Sequence, residues 1–167
     1  MKIDQFNKMS PDELRSELLN CCYSTQWAEK LMHHKPFKNV DSLIKNAEAI
    51  WGDLFPVDWI QAIIHHPSIG DIKTDGTKHK YINFLASGGQ DSKLEAHQNF
   101  LSQLQEATKR YEEKFGFIYV VSLSGKNADD ILKDINKRLL HSAEDELKVA
   151  VAEQAQITAS RLRALIN

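Results

Sequence analysis

The sequence predicts an all-α fold, a single-domain bundle of about seven helices, on three observations. Helix-capping signatures recur along the chain, each followed by apolar residues at three- and four-residue spacing. Only one run, Phe117-Ile118-Tyr119-Val120-Val121, has the character of a strand, and a lone strand has nothing to pair with. The 167 residues, 42% of them apolar, suffice for one core, so residues 1–167 are expected to form one domain; no internal repeat divides them.

Ser10-Pro11-Asp12-Glu13 combines a hydroxyl at N-cap, a proline at N1 and a carboxylate at N3. It opens a first helix with Leu14, Leu18 and Cys22 on one face, ending near Cys22. Ser24 or Thr25 caps a second, with Trp27 and Leu31 inward, which ends before Pro36. Asp41 is the expected cap of a third, whose stripe is Leu43, Ile44, Ala47, Ile50 and Trp51. A fourth begins near Pro56, turns Trp59, Ile60, Ile63 and Ile64 inward, and stops at Pro67, which has no N–H to continue it.

Residues 68–91 hold four of the seven glycines and read as a long loop, with a short helix expected around residues 80–85. Ser92-Lys93-Leu94-Glu95 is a second capping box, opening a long helix with Leu104, Ala107 and Tyr111 that reaches Lys114 before Gly116 breaks it. Residues 117–121 then read as an extended core segment or as a disguised helix start. Asn127 caps a helix carrying Ile131, Leu132 and Ile135, and Ser142 caps the last, with Leu147, Val151, Ala155, Leu162 and Leu165 as its stripe. Trp27, Trp51 and Trp59 each fall on an apolar stripe and are assigned to packing.

Composition removes several function classes. With 21 basic and 23 acidic residues spread along the chain, no nucleic-acid partner is expected. No apolar run approaches the roughly 18 residues of a membrane span, and Met1–Ser10 lacks the apolar region of a secretory signal. Cys21 and Cys22 are neighbours, one of them expected to be buried; they imply no disulfide framework and fit a cytoplasmic protein. His33-His34 and His65-His66 are adjacent pairs that point apart on a helix, and there is no H-x-x-x-H or C-x-x-C, so no metal site is expected. Gly88-Gly89 belongs to no phosphate cradle, and no G-x-S-x-G elbow is present.

The stretch Ile64-His65-His66-Pro67-Ser68-Ile69-Gly70-Asp71 is where chemistry could sit. A histidine at a helix C-terminus faces unpaired carbonyls, which favour imidazolium and suit a proton donor near neutral pH. The plainer reading is a capping histidine bonded to backbone, with His65 exposed. Arg161, placed on or beside an apolar face, is either an ion-paired interior group or a fork aimed at a carboxylate or carbonyl ligand. Residues 109–114 read as a solvated helix face with compensating charges.

Several landmarks appear in order: Cys22-Tyr23-Ser24-Thr25-Gln26-Trp27, Lys35-Pro36-Phe37, Asp58-Trp59 and His66-Pro67-Ser68-Ile69-Gly70. Tyr111-Glu112-Glu113-Lys114-Phe115-Gly116-Phe117, Glu153-Gln154-Ala155-Gln156-Ile157 and Arg161-Leu162 follow. Over nearly its whole length the chain resembles the 2-oxo-4-hydroxy-4-carboxy-5-ureidoimidazoline (OHCU) decarboxylases of urate breakdown. The resemblance implies an all-α single domain, a homodimer, and a decarboxylation without cofactor that yields (S)-allantoin from a small-molecule ureidoimidazoline. His66 would correspond to the family's essential histidine, bonding the substrate's 4-hydroxyl or carboxylate and supplying a proton as carbon dioxide leaves. Pro67 would shape the pocket floor and Gln90 would bind substrate. Phe117, Ile118, Tyr119, Val120 and Val121 would offer backbone N–H and C=O to the ureide, and Arg161 would steady a substrate carbonyl or carboxylate.

The sequence departs from the family in one motif. Where the family carries S-x-x-E-Q, this chain reads Ala86-Ser87-Gly88-Gly89-Gln90, with Gly89 in the glutamate's place. The alternative to a decarboxylase is therefore a catalytically lapsed or repurposed homologue that binds a ureide-like molecule. A third reading is a helical interaction protein without a small-molecule site.

Overall fold

The computed structural model describes residues 1–66 and 94–166, with side chains in the second stretch from residue 99 onward. Eight helices and no strand occur among the described residues, so the fold is all-α. They are α1 (Ile3–Lys8), α2 (Pro11–Cys21), α3 (Thr25–Met32), α4 (Val40–Gly52), α5 (Pro56–Ile64), α6 (Leu94–Phe115), α7 (Ala128–Arg138) and α8 (Ala143–Leu165). The chain forms two compact units, Met1–His65 with Val151–Asn167, and His66–Ala150. The short helix expected at residues 80–85 and the box at Ser92-Lys93 lie outside the described residues.

In the first unit, α1 has no side-chain cap and so no strong sequence signal; it forms around Phe6, which is fully buried. The Ser10 box closes as read: Ser10 N donates to Glu13 Oε2 at 3.0 Å and Glu13 N to Ser10 Oγ at 3.4 Å. These bonds from Ser10 hold the Glu13 carboxyl below its ordinary range. Ser24 caps α3, its Oγ accepting from Trp27 N at 3.3 Å. The cap of α4 is Asn39, not Asp41. Asn39 Oδ1 accepts from Ser42 N at 2.8 Å while Ser42 Oγ accepts from Asn39 N at 3.1 Å, a reciprocal pair that starts the helix earlier.

Helix α5 ends at Ile64, short of the expected boundary at Pro67. The His65 ring explains the early stop: its Nδ1 donates to the Gln61 carbonyl at 2.7 Å, taking the acceptor that continued α-helix would give to the backbone N–H of His65. Ala62 and Ile63 are buried, but Ile64 is exposed, against expectation.

The first unit closes on one apolar cluster that includes Phe6, Leu14, Leu18, Trp27, Leu31, Leu43, Trp51 and Leu162. The indoles bury their rings and still satisfy their N–H groups, as packing tryptophans must. Trp27 donates to Ala47 O at 3.0 Å, Trp51 to Val151 O at 3.0 Å, and the half-buried Trp59 to Trp51 O at 2.8 Å. Both Cys21 and Cys22 are buried, where one was expected, and burial pushes each thiol up to about 11.

In the second unit α6 stops at Gly116, whose φ of +75° is the left-handed conformation that favours glycine. Asn127 Oδ1 caps α7, accepting from Asp130 N at 3.0 Å. Ser142 Oγ accepts from Asp145 N at 3.1 Å at the start of α8. The buried line of α8 is Glu146, Ala150, Gln154, Thr158 and Leu162, while Leu147, Val151 and Ala155, expected inward, are only half-buried. A stripe read from hydrophobicity alone misses this line because it contains an ionisable and two polar residues.

No described helix is long and apolar enough to cross a membrane.

Candidate functional site

His66 follows directly on His65, the C-cap of α5, and is half-buried. The exposed His65 takes up a helix carbonyl, that of Gln61. The His65 ring also stacks on Tyr23, with centroids 6.5 Å apart and planes 27° apart. His66 belongs to the second unit, and so does the run from Phe117 to Val121.

That run is neither helix nor strand. Phe117, Tyr119, Val120 and Val121 are buried and Ile118 is half-buried. Side chains of α6 and α7 pack and bond against it. Arg138 Nη1 donates to the Val120 carbonyl at 2.8 Å, and the Tyr119 hydroxyl donates to Asp134 Oδ2. The Arg138 guanidinium lies 4.6 Å from the Tyr119 ring centre, and Tyr111 packs edge-on against both Phe117 and Tyr119.

Behind the run is a buried ionic network that the sequence reading did not single out. Arg138 is 1% exposed and Glu146 0%. Both Nε and Nη2 of Arg138 reach Glu146 Oε1 at 2.7 Å. The Tyr111 hydroxyl donates to that same oxygen, and His141 Nδ1 lies 2.9 Å from Oε2. Burial by itself would weaken the hold of Arg138 on its proton, but Tyr111 and Glu146 outweigh it and the net shift is upward. Burial raises the Tyr111 phenol far above its usual range; Arg138 pulls it back and Glu146 pushes it up again. The phenol thus stays neutral and the guanidinium charged. One signal could have found the pair: Glu146 sits four residues before Ala150, and Arg138 three after Ile135, both on buried faces. Tyr111 within residues 109–114 is likewise fully buried, while Lys109 and Glu113 on the exposed face pair at 4.0 Å.

Arg161 belongs to the first unit and is half-buried. Its Nη1 donates to the Cys21 carbonyl at 3.1 Å, and its guanidinium lies 5.9 Å from the Tyr23 ring centre. The structure therefore holds the head group against backbone and an aromatic face. Pro67 and Gln90, and with them Gly89, lie outside the described residues. No group of three or more potential metal-ligating side chains occurs among the described residues.

His66 is thus a half-buried histidine at a helix end, and the run from Phe117 to Val121 is held by a buried charged network. The family model for OHCU decarboxylase matches residues 7–163. The chain belongs to the OHCU decarboxylase family. Among its relatives is the 2-oxo-4-hydroxy-4-carboxy-5-ureidoimidazoline decarboxylase of Haloferax volcanii, 26% identical over 97% of this chain and 94% of that one. The uric acid degradation bifunctional protein TTL of Arabidopsis thaliana is 27% identical over 88% of this chain, which spans 45% of that longer protein. An OHCU decarboxylase whose crystal structure was determined in the presence of (S)-allantoin superposes with a TM-score of 0.73 at 27% identity, covering 89% of this chain and 96% of that one. OHCU decarboxylase membership and the all-α fold thus agree with the resemblance found in the sequence.

Proposed function

We propose that this chain is a lyase that decarboxylates 2-oxo-4-hydroxy-4-carboxy-5-ureidoimidazoline to (S)-allantoin in urate breakdown. The observation that carries the reading is the family match over residues 7–163, which takes in His66 and residues 117–121. In this mechanism His66 bonds the substrate's 4-hydroxyl or carboxylate, and carbon dioxide departs with the C–C bond broken heterolytically. The electron pair left at C4 delocalises into the neighbouring ring carbonyl or imine, and a proton delivered by His66 to one face fixes the configuration. The protein contributes orientation, desolvation of the carboxylate and that single proton, so the reaction as proposed calls for no cofactor. Backbone groups of residues 117–121 receive the ureide. The roles that the resemblance gives Pro67, Gln90 and Arg161 belong to the same proposal, as do a homodimer, a cytoplasmic location and residues 1–167 acting as one OHCU decarboxylase-like domain.

Circular dichroism of freshly generated substrate, supplied by urate oxidase and the hydrolase that follows it, tests the reading. The wild type is expected to give (S)-allantoin faster than the spontaneous reaction gives racemate, and His66→Ala to lose about 10²–10⁴ of that rate. Racemic product at the background rate would overturn it. Gly89 in the place of the family's glutamate favours a second reading, a homologue that binds a ureide without turning it over, and the racemic outcome would select that reading.

A further inference from the structure

We infer that Arg138 and Asp134 are positioning residues for substrate binding: from one face of α7 they grip the Val120 carbonyl and the Tyr119 hydroxyl, and so hold the backbone of residues 117–121 in the form that receives the ureide. The inference rests on the decarboxylase reading and deepens it.

Four observations carry it. The run is neither helix nor strand, and side chains of α7 bond it at Tyr119 and at Val120. Asp134 and Arg138 lie one helical turn apart, with Arg138 Nη1 also 3.4 Å from Asp134 Oδ2, so they act as one two-pronged grip. A buried ion pair is a poor device for stability, since apolar residues of similar volume hold a core at least as well. What apolar residues cannot do is donate to Val120 O, and the Arg138–Glu146 pair leaves Nη1 aimed there at 2.8 Å. Finally, Phe117, Tyr119, Val120 and Val121 are buried and Ile118 is half-buried, so the run is held inside the unit on both sides of Ile118. A main-chain recognition edge is only as accurate as the backbone is fixed.

The deciding experiment measures kcat and KM by the (S)-allantoin dichroism signal, beside thermal unfolding, for the wild type, Arg138→Lys, Asp134→Asn, Tyr119→Phe and the Tyr119→Phe/Asp134→Asn double variant. Arg138→Lys keeps a positive charge opposite Glu146 but lacks the arm that reaches Val120. Tyr119→Phe removes a single hydroxyl and leaves the aromatic packing in place, so it decides the matter should Arg138→Lys fail to fold. The expected result is KM raised about three- to tenfold with kcat nearly unchanged, since the loss falls on binding common to ground and transition states. The double variant is expected to fall short of additivity, because both changes act on the same Tyr119–Asp134 bond. Variants that unfold earlier but keep the wild-type KM would overturn the inference, as would additive effects in the double variant. A wild type without turnover is a different result: it overturns the decarboxylase reading, and this inference with it.

Discussion

In the unit formed by Met1–His65 and Val151–Asn167, the buried polar side chains named in its interior, Ser24, Gln154 and Thr158, are all uncharged. Ser24 caps α3, and Gln154 Nε2 reaches Thr158 Oγ1 at 3.1 Å, one turn away on α8. The rest of that interior is an apolar cluster. In His66–Ala150 the interior is built around Arg138, Glu146 and Tyr111, drawn from three helices and bonded to one another. Apolar burial is strong but non-directional, and such cores tolerate repacking within a conserved volume. A buried charged network tolerates little, because each member left unpaired bears its full desolvation cost. The second unit gives up that tolerance and gains a fixed place for the Val120 carbonyl. The contrast places directional interactions where backbone geometry matters and plain packing where it does not.

The largest effect expected from this contrast is that of Glu146→Ala, which strands the Arg138 guanidinium in the interior and should cost about 4 kcal/mol in a denaturant titration. Replacing both partners by apolar residues, Arg138→Met with Glu146→Leu, should recover only part of that loss, since the Val120 carbonyl and the Tyr111 hydroxyl lose their partners; full recovery would break the distinction between the two interiors. Leu18→Ala in the apolar cluster should cost about 3 kcal/mol through lost burial and a residual cavity, and Leu18→Met should restore most of it, as a tolerant core requires. The smallest effect is alkaline. Unfolding lets Cys21 and Cys22 ionise near 9.0, whereas burial in the fold holds both near 11. Their contribution is therefore intact below pH 9 and is lost as pH rises towards 11, by about 1 kcal/mol per thiol at pH 10. A Cys21→Ala/Cys22→Ala variant should lose that part of the slope when unfolding is followed against pH.

What the sequence disclosed divides along the same line. The caps at Ser10, Ser24, Asn127 and Ser142 were legible because hydroxyl or amide and its backbone partner lie within three residues of each other. The cap at Asn39 was misplaced because Asp41 has the right chemistry and lies nearer the apolar stripe, and only the reciprocal bond to Ser42 decides between them. The inward line of α8 was misread because burial of Glu146 depends on Arg138, which arrives from another helix. Residues 117–121 were recognised as a buried segment from composition, but their anchoring is a long-range matter that no local pattern encodes. His66 stands out for its place at a helix end, and the structure adds that its neighbour His65 bonds the Gln61 carbonyl.

The first unit draws on two stretches of chain far apart in sequence. Its apolar cluster joins Phe6, Leu14 and Trp51 to Leu162 and Ile166, and the Trp51 indole takes its acceptor from Val151. The second unit is one uninterrupted stretch. During synthesis the order of completion is therefore the reverse of the order of translation. Residues 1–65 leave the ribosome first yet wait with an unfinished core until residues 151–166 arrive, while the unit between them already has every residue it needs.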